Sequence, residues 1–164
     1  MGRRVFFSFH FKADAWRAGQ VRNIGKVEGN KPVSDNDWEA VKKGGDEAIK
    51  RWINGQMEER SVAIVLIGQN TAGRKWIKYE IEKAWNDKRG VVGIYIHNLK
   101  NKEGEQASKG KNPFDDVTLT NGKLLSSYAK SYDPPYSDSS KVYEYISNHI
   151  ESWADEAYKI RNPA

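Results

Sequence analysis

Residues 61–67, SVAIVLI, constrain this chain more than any other stretch: after Ser61 the run is wholly apolar, rich in β-branched side chains, and closed by Gly68. Successive side chains on a strand point to opposite faces, so a sheet with one wet side would alternate apolar with polar. An unbroken apolar run needs cover on both faces. It predicts the centre of a parallel sheet with helices on either side.

The rest of the chain alternates in the same sense. Residues 4–9 (RVFFSF) and 91–96 (VVGIYI) are two further buried strands. Residues 14–24 place Trp16, Gln20, Val21 and Ile24 at helical spacing and stop at Gly25. Residues 37–53 gather Trp38, Val41, Ala48, Ile49, Trp52 and Ile53 on one face, with Gly44 and Gly45 weakening or bending the helix between them. Residues 75–88 form a third helix on Trp76, Ile77, Ile81, Ala84 and Trp85. After Pro134 and Pro135, a last one from about Ser139 to Ile160 carries Val142, Tyr145, Ile146, Ile150 and Trp153. Residues 26–37, with Gly29, Asn30, Pro32 and Ser34, read as a loop with at most a short edge strand, and residues 118–128 as a last weak edge strand. Residues 98–112 read as an exposed, mobile loop able to bury almost nothing. There is no internal repeat.

A chain of 164 residues is the size of one domain, here 1–164. With 27 Lys and Arg against 22 Asp and Glu, the net charge of +5 biases it toward anionic ligands such as nucleotides, nucleic acid or an acidic membrane face. The absence of cysteine removes disulfides, thiolate nucleophiles and Cys-ligated metals, and the three histidines, His10, His97 and His149, have no metal-binding spacing. The expectation is no metal. The only apolar run near the start is interrupted by Ser8 and His10 and is too short for a signal or a membrane span, so a cytoplasmic protein off the membrane is expected. Nucleic acid is disfavoured as a partner: the charge is modest, no recognition motif accompanies it, and a solvated loop accounts for the lysines between 100 and 111.

Ligands of an open parallel sheet bind beyond the carboxyl ends of its strands, so residues 8–12, 68–74 and 97–101 should wall any pocket. Gly68 to Gly73 departs from G-x-G-x-x-G and is not followed by Gly-Lys-Ser/Thr, which argues against a nucleotide-type phosphate loop. The anomaly is Glu80. Stepping by three and four along residues 75–88 places it on the apolar stripe, while Lys78, Glu82, Lys83 and Asp87 fall on polar faces. An inward carboxyl is either a stripe-edge group that reaches water or pairs with a neighbouring Arg or Lys, or a catalytic acid. Desolvation favours its neutral form and a basic neighbour opposes that.

VFFSFHF (5–11), SVAIVLIG (61–68), and NTAGRKWIKYEIEKA (70–84) with its Trp-x-x-x-Glu at Trp76 and Glu80 resemble TIR domains. More closely they resemble the TIR-like branch that includes the signal-generating subunit of the Thoeris anti-phage defence system. The resemblance runs on through VVGIYIHNLKNKEG (91–104) and KGKNPFD (109–115), and fades over about 119–164, a segment left as a candidate for specificity. It implies an α/β, flavodoxin-like TIR fold: a central parallel sheet of about five strands flanked by helices on both faces.

In enzymatic members, the family implies cleavage of the nicotinamide–ribose bond of NAD+ with release of nicotinamide. NAD+ is then the substrate, no cofactor is called for, and Glu80 stands at the catalytic glutamate. For the Thoeris type it implies a cyclic ADP-ribose-type second messenger that reaches a downstream effector by diffusion. Ser8, Phe9 and His10 correspond to the strand end that contacts ribose and phosphates, and His10 and Lys12 stand where some TIR enzymes carry arginines. Phe9 reads equally as core packing, His10 as an exposed strand-end group, Trp76 as a core anchor, and Arg74 and Lys75 as a solvated helix start. TIR enzymes often complete their pockets across a protomer contact, so a homo-oligomer is compatible with the chain. The competing class is a non-catalytic TIR-like nucleotide-binding or interaction module.

Overall fold

The computed structural model describes residues 2–31 and 35–163. Pro32 and Ser34 of the anticipated loop lie outside the described residues, as do 1, 33 and 164. The elements are β1 (Val5–Ser8), α1 (Phe11–Arg22), α2 (Asp35–Lys43), α3 (Gly45–Met57), β2 (Val62–Ile67), α4 (Lys75–Asn86), β3 (Gly90–Tyr95), β4 (Ser131–Tyr132) and α5 (Ser139–Arg161), with 3-10 turns at Pro113–Asp116 and Leu125–Ser127.

The sheet is parallel throughout in the order β1-β2-β3-β4, and β2 lies inside it with every residue buried, as the apolar run requires. Four strands form among the described residues where about five are expected. Beyond β1 the fifth is reduced to one parallel bridge, Arg4 to Glu28. Val5 N donates to the Glu28 carbonyl at 2.7 Å, but the next rung, from Phe7 N, goes to the Asn30 side-chain Oδ1 at 3.0 Å. A side chain thus takes the donor that a longer strand would use. Residues 118–128 hold only a bridge between Thr118 and Leu124 and a 3-10 turn; the edge strand is β4, paired with β3 at Gly93 and Ile94.

Side-chain parity divides the core. Val5, Phe7, Val62, Ile64, Leu66, Val92 and Ile94 face α1 and α5, while Phe6, Ala63, Val65, Ile67, Val91 and Tyr95 face α3 and α4. On α5, Val142, Ile146, Ile150 and Trp153 are buried as the stripe predicts, and Asp138 caps its start by accepting from Ser140 N and Lys141 N. No helix of the described residues is long and apolar enough to cross a membrane.

Three local expectations need correction. The helix anticipated over 37–53 is two helices, because Gly45 takes φ +80° and ends the first. On α1, Val21 is buried but Trp16 is 55% exposed; the inward face carries Asp14 and Arg17, whose side chains are 3% and 6% exposed and pair at 3.0 Å. A paired ion can occupy a core position that hydropathy assigns to an apolar residue. The 98–112 segment is also not a freely solvated strip: Leu99 is fully buried, and Arg17 donates from Nε to the Leu99 carbonyl at 2.7 Å and from Nη2 to the Glu105 carbonyl at 3.0 Å.

From β1 the chain passes through α1 to the Glu28 rung on one side, then through α2 and α3 to β2 on the other. The crevice between the carboxyl ends of β1 and β2 is therefore the topological switch point of the sheet.

Candidate active site

Ser8 ends β1 and shares the parity of Phe6, so its hydroxyl points to the α4 face. On α4, Ile77, Glu80, Ile81 and Ala84 make up the buried stripe. The two elements meet where Ser8 Oγ donates to Glu80 Oε1 at 2.5 Å. Glu80 is 9% exposed, and burial pushes its carboxyl up to about 8, with the Ser8 hydrogen bond acting in the opposite direction. The inward Glu read from the stripe is an inward Glu in the fold. It forms no ion pair with a neighbouring Arg or Lys among the described residues.

Glu80 opens onto a cavity of about 510 Å³, in the range that holds small-molecule ligands. Phe9, His10, Lys12, Arg74, Lys75 and Trp76 line it, so the residues carried over from the resemblance come together around the same space, with Ser8 behind Glu80. Phe9 both lines the cavity and packs on the α1 side of the core. His10 caps the start of α1, and burial together with Arg74 holds its imidazole below the ordinary histidine range, hence neutral at pH 7. Trp76 meets Tyr79 edge-on at 5.7 Å and carries the Lys75 ammonium 4.9 Å from its ring, so it serves as both core anchor and cavity wall. Lys75 itself pairs with Asp46 at 2.5 Å.

Of the three anticipated walls, residues 9–12 of the 8–12 stretch line the cavity, 68–74 contribute only Gly73 and Arg74, and 97–101 contribute nothing. The Gly68 turn spends its own donor internally, on Thr71 Oγ1 at 2.7 Å. Nothing beyond Glu80 in sequence lines the cavity either, so 119–164 builds the sheet's cover and not this pocket.

Several lining residues escape a reading of the sequence. Trp38 and Trp52 extend Phe11, already expected in the 8–12 wall, into a continuous aromatic wall with ring centres 6.1 Å and 5.5 Å apart. Trp38 and Trp52 are legible as helix-stripe residues, which is the same signal a core residue gives. Arg22 lies over Phe7 and Phe9 at 5.3 Å and 5.6 Å and donates to the Asn30 carbonyl; burial, with Arg60 adding to it, lowers its guanidinium to about 10. Among the described residues the lining thus sets five cations, Lys12, Arg22, Lys42, Arg74 and Lys75, against one carboxyl. Flat rings, cations and a single buried acid suit an anionic ligand that carries aromatic bases. No cluster of three or more His, Cys, Asp or Glu that could hold a metal occurs among the described residues.

Residues 6–101, which contain every residue of the cavity, match the family model described as Thoeris protein ThsB, TIR-like domain. A protein of Bacillus cereus (strain MSX-D12), named "Putative cyclic ADP-D-ribose synthase ThsB1", is 42% identical over 136 residues, covering 78% of this chain and 71% of that protein.

Proposed function

We propose that this chain, which belongs to the TIR-like family of the Thoeris protein ThsB, breaks the nicotinamide–ribose bond of NAD+ and turns the remainder into a cyclic ADP-ribose-type signal. The observation that carries the reading is Glu80: one buried carboxyl, the only acid among the described residues of a cavity lined mostly by rings and cations. Ordinary glycosidases need two carboxyls, one to protonate the leaving group and one to assist at the sugar. Nicotinamide is already a cationic leaving group and departs with the bonding electron pair unprotonated, so a single carboxylate suffices to stabilise the oxocarbenium charge on the ribose. The name of the Bacillus cereus relative, a cyclic ADP-D-ribose synthase, agrees with this reading.

With water held off the ribose carbon, an adenine nitrogen of the same molecule attacks it, loses a proton to solvent and closes the ring; where water attacks, ADP-ribose forms. Lys12, Arg22 and Arg74 are the groups for the diphosphate, and the Phe11–Trp38–Trp52 wall offers apolar cover. NAD+ is substrate throughout, and the product acts on a downstream effector in the cytoplasm. The test follows nicotinamide release from NAD+ by the purified protein, alone and with lysate of infected cells, beside Glu80→Gln. Release that falls at least about 100-fold in the variant is expected. No release under either condition leaves a non-catalytic nucleotide-binding module as the function; equal release by both proteins overturns Glu80 as the group that breaks the bond.

A further inference from the structure

A second hollow adjoins the Glu80 cavity across part of its aromatic wall. Phe11, Lys12, Trp38 and Lys42 belong equally to this hollow of about 600 Å³, whose far side is formed by Trp16 and by Asn101, Lys102 and Glu103. A lone exposed aromatic is ordinary on a protein surface. Trp16 differs in its position: it is 55% exposed, makes no ring contact with another aromatic among the described residues, and borders a hollow that shares four wall residues with the cavity of the buried acid. Lys42 is paired with Glu39 at 2.9 Å, whereas Lys12 and Lys102 form no ion pair among the described residues. Between the two hollows, then, stands one unpaired cation, Lys12, and beyond it an exposed indole.

We infer that the second hollow is the subsite for the adenosine end of the dinucleotide, with Trp16 as the stacking platform for the purine ring. This rests on the reading of the first cavity as an NAD+ site. A dinucleotide needs two places for rings joined by a place for a diphosphate, and the two hollows with Lys12 at their shared edge supply that order. Stacking a base on an aromatic side chain requires only an accessible ring face, which Trp16 has and which the edge-on or packed rings of the first cavity do not offer to the same degree. Trp16 is therefore a determinant of which nucleotide binds and takes no part in breaking the bond; for ring closure the adenine then leaves this platform and folds back to the ribose carbon.

The test uses calorimetry on Glu80→Gln protein carrying Trp16, Trp16→Phe or Trp16→Ala, titrated with ADP-ribose and with ribose 5-phosphate, neither of which has a nicotinamide–ribose bond to break. Trp16→Ala should weaken ADP-ribose binding by about 5- to 100-fold, Trp16→Phe should retain most of it, and ribose 5-phosphate, which has no base, should bind all three alike. ADP-ribose binding of equal strength to all three proteins overturns the subsite and leaves the NAD+ reading intact. So does an equal loss for both ligands in Trp16→Ala. Absence of any ADP-ribose binding to the Trp16 protein overturns both.

Discussion

The Ser8 hydroxyl and the Glu80 carboxyl, the last residue of β1 and a buried residue of α4, meet across 2.5 Å at the switch point of the sheet. A donated hydrogen bond favours the charged carboxyl and burial disfavours it. Burial prevails, and the group sits at about 8. The free protein thus holds a largely neutral acid at pH 7, and on the proposed reading a bound cationic nicotinamide ring tips it to the carboxylate that stabilises an oxocarbenium ion.

The first prediction follows from that coupling. The profile of kcat/KM reports the free enzyme and that of kcat the bound complex. Nicotinamide release should therefore show a limb of kcat/KM rising with pH near 8, and a limb of kcat that rises at clearly lower pH because the bound cation favours the ionised acid. Measuring initial rates from pH 5.5 to 9.5 decides it. Coincident limbs, or rates flat across the range, contradict the assignment.

Ser8→Ala removes the one group that holds Glu80 toward the charged form. The kcat/KM limb should move to higher pH, and the rate at pH 7 should fall about 3- to 10-fold, while the fold loses only about 1 kcal/mol. A rate loss with the limb unmoved would mean that Ser8 acts by position alone.

Glu80 also leaves a signature in stability. Its folded-state value, about 8, lies above the ordinary 4.5, so between these pH values the folded chain holds a proton that the unfolded chain has released. Stability contributed by the neutral buried carboxyl is complete below about 4.5 and is lost as pH rises through 8. Glu80→Gln, which cannot ionise, lacks this loss. Thermal melts at pH 5 and pH 9 should show the variant gaining on the native chain, by at most ~5 kcal/mol at the higher pH. Parallel melting profiles would show that the carboxyl is solvated.

Much of the site is legible in the sequence because it follows from periodicity. The unbroken apolar run fixes β2 inside the sheet, and helical stepping along α4 turns Glu80 inward among Ile77, Ile81 and Ala84. Trp38, Trp52 and Arg22 are not legible as pocket walls, since they converge from α2, α3 and α1 by tertiary packing, and a tryptophan that lines a cavity repeats at the same spacing as one that fills a core. Trp16 and the loop that follows β3 mislead for one shared reason. Arg17 occupies the buried face of α1, where hydropathy favours the indole, and its guanidinium then ties down carbonyls of a segment whose composition suggests free solvation.

That guanidinium carries the last prediction. Arg17 neutralises Asp14, whose Oδ2 is buried with no hydrogen-bond partner and lies so near Gly68 that a Cβ there would come within 2.1 Å of it. Arg17→Met leaves an uncompensated buried acid and should cost about 3 kcal/mol in urea denaturation. Adding Asp14→Ala removes the acid and should restore at least about 1 kcal/mol of that. The two roles of Arg17 separate in hydrogen exchange: the Ala107 amide, bonded to the His97 carbonyl at 2.8 Å within the anchored loop, should exchange faster in both variants, because neither regains the bonds to the Leu99 and Glu105 carbonyls. Asn101, Lys102 and Glu103 of that loop wall the second hollow, so both variants should also bind ADP-ribose more weakly than the native chain. If the double variant is no more stable than Arg17→Met, the ion pair is not what Arg17 contributes, and its carbonyl anchors account for the whole effect.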